Sequence, residues 1–226
     1  MTHTYTQSNA YDIIQKDIED LFHRYIKKER GDIKCIVIVG AHHGNEIPRL
    51  LRNYPNAIVH AYEAYPTHFN TLQSTFKDKP RVRLYCTAVS DVVGTIQFHE
   101  LSVGGSGSIL KFQGDAYGHY FKTAETVEVP STTLRESLKD TDIDLLWVDV
   151  QGAELKVLHG TDLSRCASLF LEIHTRDYIK EWDKEPYIGQ CYKEDLEGFL
   201  VGFKLHSIGL DNANGNGQGN SFWITR

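Results

Sequence analysis

Short runs of consecutive apolar residues punctuate the chain, and stretches of helical period separate them. Five runs read as β-strands: Cys35–Val39, Ala57–Tyr62, Val82–Ala88, Asp144–Val150 and Leu169–Ile173. Ile36-Val37-Ile38-Val39 and Leu145-Leu146-Trp147-Val148 are apolar at every position rather than at every second one. That is the pattern of strands covered on both faces, as in a parallel sheet. Between the runs the spacing changes to three and four. Phe69, Leu72 and Phe76 fall on one helical face, and Leu50-Leu51 follows Pro48. Thr133-Leu134-Arg135-Glu136 has the form of a capping box opening a short helix. Strands alternating with helices predict a doubly wound α/β fold.

The two ends extend this pattern. Ile13, Ile14, Ile18, Leu21, Phe22, Tyr25 and Ile26 form one stripe, so residues 1–33 are expected to hold an amphipathic helix packed on the sheet. Near the other end, Gly202–Ile208 and Ser221–Thr225 are β-like runs joined by an Asn- and Gly-rich segment too polar for a crossover helix. They predict an antiparallel hairpin closing an otherwise parallel sheet. Residues 101–128 carry three glycines in Gly104-Gly105-Ser106-Gly107 and weak periodicity. An irregular insertion near the mouth of a site is expected there. With 226 residues and no internal repeat, one domain over residues 1–226 is the expectation.

Charge and composition narrow the classes of function. A net charge of −6 supplies no basic field for nucleic acid or an anionic membrane. No stretch approaches the roughly 18 apolar residues of a membrane span, and Met1–Ala10 lacks the apolar core of a signal peptide. The four cysteines are scattered without a CxxC pair, which reads as reduced thiols in a cytoplasmic protein. The 11 histidines are dispersed, with no tight ligand pair on one helix, so no metal site is assigned.

Chemistry in such a sheet belongs beyond the carboxyl ends of the strands, where strand order reverses. The first strand runs into Val39-Gly40-Ala41-His42-His43-Gly44-Asn45-Glu46. Gly40 and Gly44 would let backbone approach a nucleoside, or would simply make a tight turn. The dinucleotide fingerprint is not met, because His42 and Asn45 stand at its second and third glycines, which argues against NAD or FAD. Glu63, with Ala64 at the second strand's end, lies 63 − 40 = 23 residues after Gly40, near the roughly 20 expected of an acid that binds ribose hydroxyls. Ser90 and Asp91, after the third strand, would face an adenine edge or form a turn. Asp149 closes the fourth strand, where a carboxylate would position an acceptor, take its proton or help hold a cation. Glu172 and His174 are two apart on the fifth strand, so they share a face and suit acid/base work or a hydrogen-bonded pair at the rim.

Taken together, Val39-Gly40-Ala41-His42-His43-Gly44, Tyr62-Glu63-Ala64-Tyr65-Pro66, Ala88-Val89-Ser90-Asp91, Trp147-Val148-Asp149-Val150-Gln151-Gly152-Ala153-Glu154 and Leu171-Glu172-Ile173-His174 resemble the FkbM family of S-adenosylmethionine-dependent methyltransferases. Order and spacing agree over roughly residues 34–226, and the Asp149–Glu154 block followed by Leu158-His159-Gly160 is the most specific part. The resemblance implies a class I methyltransferase fold, Rossmann-like, with a mostly parallel seven-stranded sheet. It puts S-adenosylmethionine at Gly40–Gly44 and Glu63, and implies O-methylation of a sugar, glycan or related hydroxyl. Where the family usually carries an acid two positions before the first glycine, this chain has Ile38, and Glu46 or His42 would take over that role. His174 is expected as the base and Asp149 as an alternative, with Glu172 orienting the imidazole. A divalent cation on Asp149 and Glu172 is the less favoured route. N-methylation, or a non-catalytic nucleoside-binding module, are the competing readings.

Overall fold

In the computed structural model, residues 7–113, 122–176, 185–210 and 217–226 are described, with side chains from residue 18 onward. Strands β1 (Cys35–Val39), β2 (Ile58–Glu63), β3 (Val82–Cys86), β7 (Leu145–Val148), β8 (Ser168–His174), β9 (Phe203–Leu210) and β10 (Gln218–Thr225) make one seven-stranded sheet. Its order is β3-β2-β1-β7-β8-β10-β9. All neighbours are parallel up to β8, and β10 runs antiparallel to both β8 and β9. The chain moves outward from β1 to β3 and returns to β7 on the other side of β1, so strand order reverses between β1 and β7.

The apolar runs stay buried because alternate residues serve opposite faces. On one face Val37, Val39, Leu146, Val148, Leu169 and Leu171 pack with Val157, Leu158 and Leu196 from helices α5 (Glu154–His159) and α6 (Lys193–Phe199). On the other, Ile36, Ile38, Leu145, Trp147 and Phe170 pack under helices α1 (Gln7–Glu29) and α2 (Ile47–Asn53). Phe22 of α1 anchors that layer, its ring 4.9 Å from Phe222 and 5.6 Å from Phe170. Arg49 of α2 pairs with Glu19 and Asp20, tying the two helices together. Leu21, expected in the apolar stripe, is 47% exposed, while Ile13 and Ile14 lie outside the described side chains.

Two expectations are corrected in detail. The run Val82–Ala88 is two strands, because the chain leaves the main sheet at Thr87 and β4 (Ala88–Val89) joins a second sheet of order β4-β6-β5. That sheet also holds β5 (Gly94–Leu101) and β6 (Thr123–Thr132), so the far part of the 101–128 segment is strand rather than irregular chain. The missed signal is period two in Val127 and Val129, which face inward on either side of Glu128. Residues 114–121 lie outside the described residues.

At the capping box, the Thr133 side chain accepts the Glu136 amide and opens α4 (Leu134–Ser137). All four cysteines are free, and Cys35, Cys166 and Cys191 are buried. Among the described residues, no helix is long and apolar enough to cross a membrane.

Candidate active site

The site grows from the ends of β1, β2 and β7. At the end of β1 the amides of Gly40 and Ala41 both donate to the Tyr62 carbonyl, at 3.0 and 2.9 Å. Gly40 has φ +85°, and a Cβ there would overlap the backbone carbonyl of Asp149. The close backbone approach that this glycine permits is therefore to β7, and it brings the two strand ends together. Gly44 is also packed rather than open, since a Cβ would lie 2.6 Å from Phe76 and 2.7 Å from Leu72 of helix α3 (Pro66–Phe76).

Two residues in the site adopt left-handed backbone without being glycine, a conformation that surrounding contacts must enforce. His42 has φ 47°, and its amide donates to Glu63 Oε2 at 2.7 Å while the Tyr65 amide donates to Oε1 at 2.8 Å. Gln151 has φ 57°, and its Nε2 donates to Asp149 Oδ1 at 2.7 Å and to Glu172 Oε2 at 2.8 Å. Gln218 donates to the other oxygen of Glu172 at 2.5 Å. Behind them Glu154 Oε1 accepts the amides of Val150 and Gly152.

These acids are unusual in their protonation. Burial raises Asp149, and burial together with the neighbouring charges of Asp149 and Glu154 pushes Glu172 well above the carboxylate range. Of the two, Glu172 holds its proton the more strongly. Burial raises Glu63 despite the amides that it accepts, and lifts both Glu46 and Glu100 to about 7.

Glu46, Glu63, Glu100 and Asp149 all line one cavity with an empty volume of about 890 Å³ including its mouth, and no Lys or Arg lines it among the described residues. Val39, Phe98 and Ile109 supply apolar wall, and Gly105 and Gly107 of the insertion border the opening. Its place at the strand-order reversal suits a nucleoside ligand, and four carboxylates without a counter-charge suit a cationic one.

Of the residues expected in the site, Gly40, Ala41, His42, Glu46, Glu63, Ala64 and Asp149 line the cavity; Gly44, Ser90, Asp91, Glu172 and His174 do not. Ser90 is fully buried, paired with Ser131 at 3.1 Å and accepting the Val92 amide. Asp91 is outside, 3.6 Å from Lys156. Because the chain switches sheets at Thr87, it is Thr87, Ala88 and Val89 that reach the cavity. His174 stands opposite Gln218 in the β8–β10 ladder, is 2% exposed, and is lowered by burial to about 4. Ile38, at the position of the family's usual acid, is core. The sequence reading missed His68, Phe98, Glu100 and Gln151. His42, His43 and His68 bring their ring nitrogens within 4.8 Å of one another. Only tertiary packing makes that cluster visible, since the third member comes 25 positions after His43 (68 − 43 = 25).

The profile of the methyltransferase FkbM domain matches residues 39–195. The chain belongs to this family. It is a methyltransferase whose donor is S-adenosylmethionine, and a cavity lined by carboxylates with no Lys or Arg among the described residues fits the cationic charge of that donor. The methyltransferase is 26% identical over 181 residues to the 2-O-methyltransferase NoeI of Sinorhizobium fredii, covering 75% of this chain and 72% of NoeI. Its fold is that of the magnesium protoporphyrin IX methyltransferase ChlM of Synechocystis PCC 6803, crystallised with bound SAH, with TM-score 0.52, 10% identity, and 100% and 90% of the two chains covered. The methyltransferase domain of a bacterial CtHen1-CN matches equally, with TM-score 0.52, 10% identity, and 93% and 98% covered.

A pH dependence follows for the methyltransferase. With Glu46 and Glu100 raised to about 7 by burial, a cationic donor seated against them would have to displace protons that the free protein holds. In the donor-free protein these two groups make stability fall as pH rises from about 4.5 to 7, since the folded chain binds more protons than the unfolded one. Donor binding favours the ionised acids, so the rise in Tm on adding donor should be larger at pH 8 than at pH 6. A thermal-shift series at fixed donor concentration measures this, and an equal shift at both pH values would mean that neither acid faces the donor.

Proposed function

We propose that the protein transfers the methyl group of S-adenosylmethionine to a hydroxyl of a sugar, glycan or related small molecule, with Asp149 as the general base. The observation that carries this reading is Asp149 itself: a carboxyl group on the cavity wall at the strand-order reversal, held by Gln151 in front of Glu172, which burial and the neighbouring acids raise further still. The likeness to NoeI, a 2-O-methyltransferase, supports a sugar hydroxyl as the acceptor. Unpaired cysteines support a cytoplasmic setting.

When bound, the donor supplies a methyl group on a sulfonium that is already a good leaving group. The chain's residues then have to align and deprotonate. Glu63, fixed by two backbone amides, holds the ribose hydroxyls with its remaining lone pairs. Glu46 takes the amino end in place of the acid absent at Ile38. As the acceptor oxygen bonds to carbon and the carbon–sulfur bond breaks, Asp149 receives the hydroxyl proton. Glu172 does not serve as an open cation ligand in this reading, because both of its oxygens already accept side-chain amides and it is 2% exposed. His174, expected earlier as the base, is off the cavity wall and becomes a buried residue of the β8–β10 ladder.

Glu63→Gln is expected to weaken the donor about 10- to 100-fold, from the loss of charge-assisted bonds worth roughly 1.5–3 kcal/mol. Calorimetry giving parent-like affinity would remove Glu63 from the donor site. The activity itself is tested by following S-adenosylhomocysteine release with a panel of sugars and glycans, then locating the new methyl by mass spectrometry. A methyl on oxygen supports the proposal. A methyl on nitrogen supports the amine reading, and tight donor binding without turnover on any acceptor supports a binding module.

A further inference from the structure

Beside the cavity, three elements converge three imidazoles and a carboxylate with little else to bind them. His42 and His43 come from the turn after β1, His68 from the first turn of α3, and Glu100 from near the end of β5. His42 and His43 stack at 3.8 Å between ring centroids, and His68 meets His42 edge-on at 4.2 Å. Glu100 Oε1 lies 3.6 Å from His68 Nε2, with side-chain exposures of only 8% and 13%. Two polar atoms of the group, His42 Nε2 and Glu100 Oε2, are buried without a hydrogen-bond partner among the described residues. Such atoms are costly unless something satisfies them. Gly105 and Gly107 close over the group: a Cβ at Gly105 would rest 3.7 Å from the His42 ring, and one at Gly107 would overlap Glu100 Oε2.

We infer that His42, His43 and His68, with Glu100 beside His68, form a binding site for a zinc-class divalent transition ion on the wall of the donor cavity. The spacing is close to what such an ion requires. Ligand atoms about 2.0–2.1 Å from a tetrahedral centre stand roughly 3.4 Å apart. The His68–Glu100 pair is already at 3.6 Å, and the three imidazole nitrogens fall within 4.8 Å. Three imidazoles with one carboxylate select borderline ions such as Zn²⁺, Co²⁺ or Ni²⁺ over Mg²⁺ or Ca²⁺, which prefer all-oxygen shells. The ion would clasp the β1 turn, α3 and β5 together at the cavity wall. His42, His68 and Glu100 also line the donor cavity, so the ion would sit in its wall, but binding of the ion itself needs neither donor nor acceptor.

The test uses untagged, chelator-treated full-length protein. Zn²⁺ titrated by calorimetry should bind at one ion per chain, and Co²⁺ should give the visible absorption of a four-coordinate nitrogen and oxygen site. His43→Ala and His68→Ala should each weaken Zn²⁺ by at least about 10-fold, and Glu100→Gln should alter the Co²⁺ spectrum. His206→Asn, remote on β9, should change neither. Zn²⁺ should raise the Tm of the parent but not of His43→Ala, which guards against a variant that is merely less stable. Parent-like binding in both histidine variants, or no stoichiometric binding by the parent, would overturn the inference. Because no readout involves turnover, its failure is separable from failure of the proposed activity.

Discussion

Asp149→Asn is expected to cut turnover by about 10²–10⁴-fold while leaving donor affinity near that of the parent. Asparagine matches aspartate in shape, and its oxygen can still accept the Gln151 amide that holds Asp149 at 2.7 Å. What it loses is the ability to take a proton. Burial raises the Asp149 carboxyl, so the parent's rate should rise with pH as that group ionises, and this limb should vanish in the variant. His174→Gln is the control. That imidazole is 2% exposed, off the cavity wall and held neutral by burial, so turnover should stay within a few-fold. Full activity in Asp149→Asn, or a 10²-fold loss confined to His174→Gln, would reverse the assignment of the base.

Gly40→Val should be the most destabilising single change in the site, with a cost above about 4 kcal/mol. At φ +85° any Cβ is strained, and here it would also overlap the Asp149 carbonyl, a backbone atom that cannot swing aside. The β1 and β7 ends would have to separate, breaking the bond from the Asp149 amide to the Val39 carbonyl. Gly31→Ala separates the two effects: its φ is +70° but a Cβ there meets nothing within 4 Å. That variant should lose about 1 kcal/mol, the cost of the left-handed backbone alone. Denaturant unfolding measures both. If Gly40→Val were as mildly affected as Gly31→Ala, the strand ends would not be packed as described.

Much of this architecture was legible in the chain. Unbroken apolar runs can be buried only between two layers, so β1, β7 and β8 announced a parallel sheet, and the Asn- and Gly-rich joint before Ser221 announced the closing hairpin. The ends of those strands also named Gly40, Glu63 and Asp149, because strand ends are where an α/β sheet leaves backbone and side chains free for a ligand. Spacing along one strand said that Glu172 and His174 share a face, but not what covers that face. The answer is the Gln218 amide from β10, paired across the ladder and 44 residues away (218 − 174 = 44). Likewise nothing local distinguished Ser90 from Thr87, since the exit of the chain from the main sheet is set by pairing with β6, far along the sequence. The histidine cluster and Glu100 are of the same kind. Periodicity reports how a residue sits relative to its own element, while burial, ionisation and ligand geometry depend on which other elements arrive, and only the folded chain decides that.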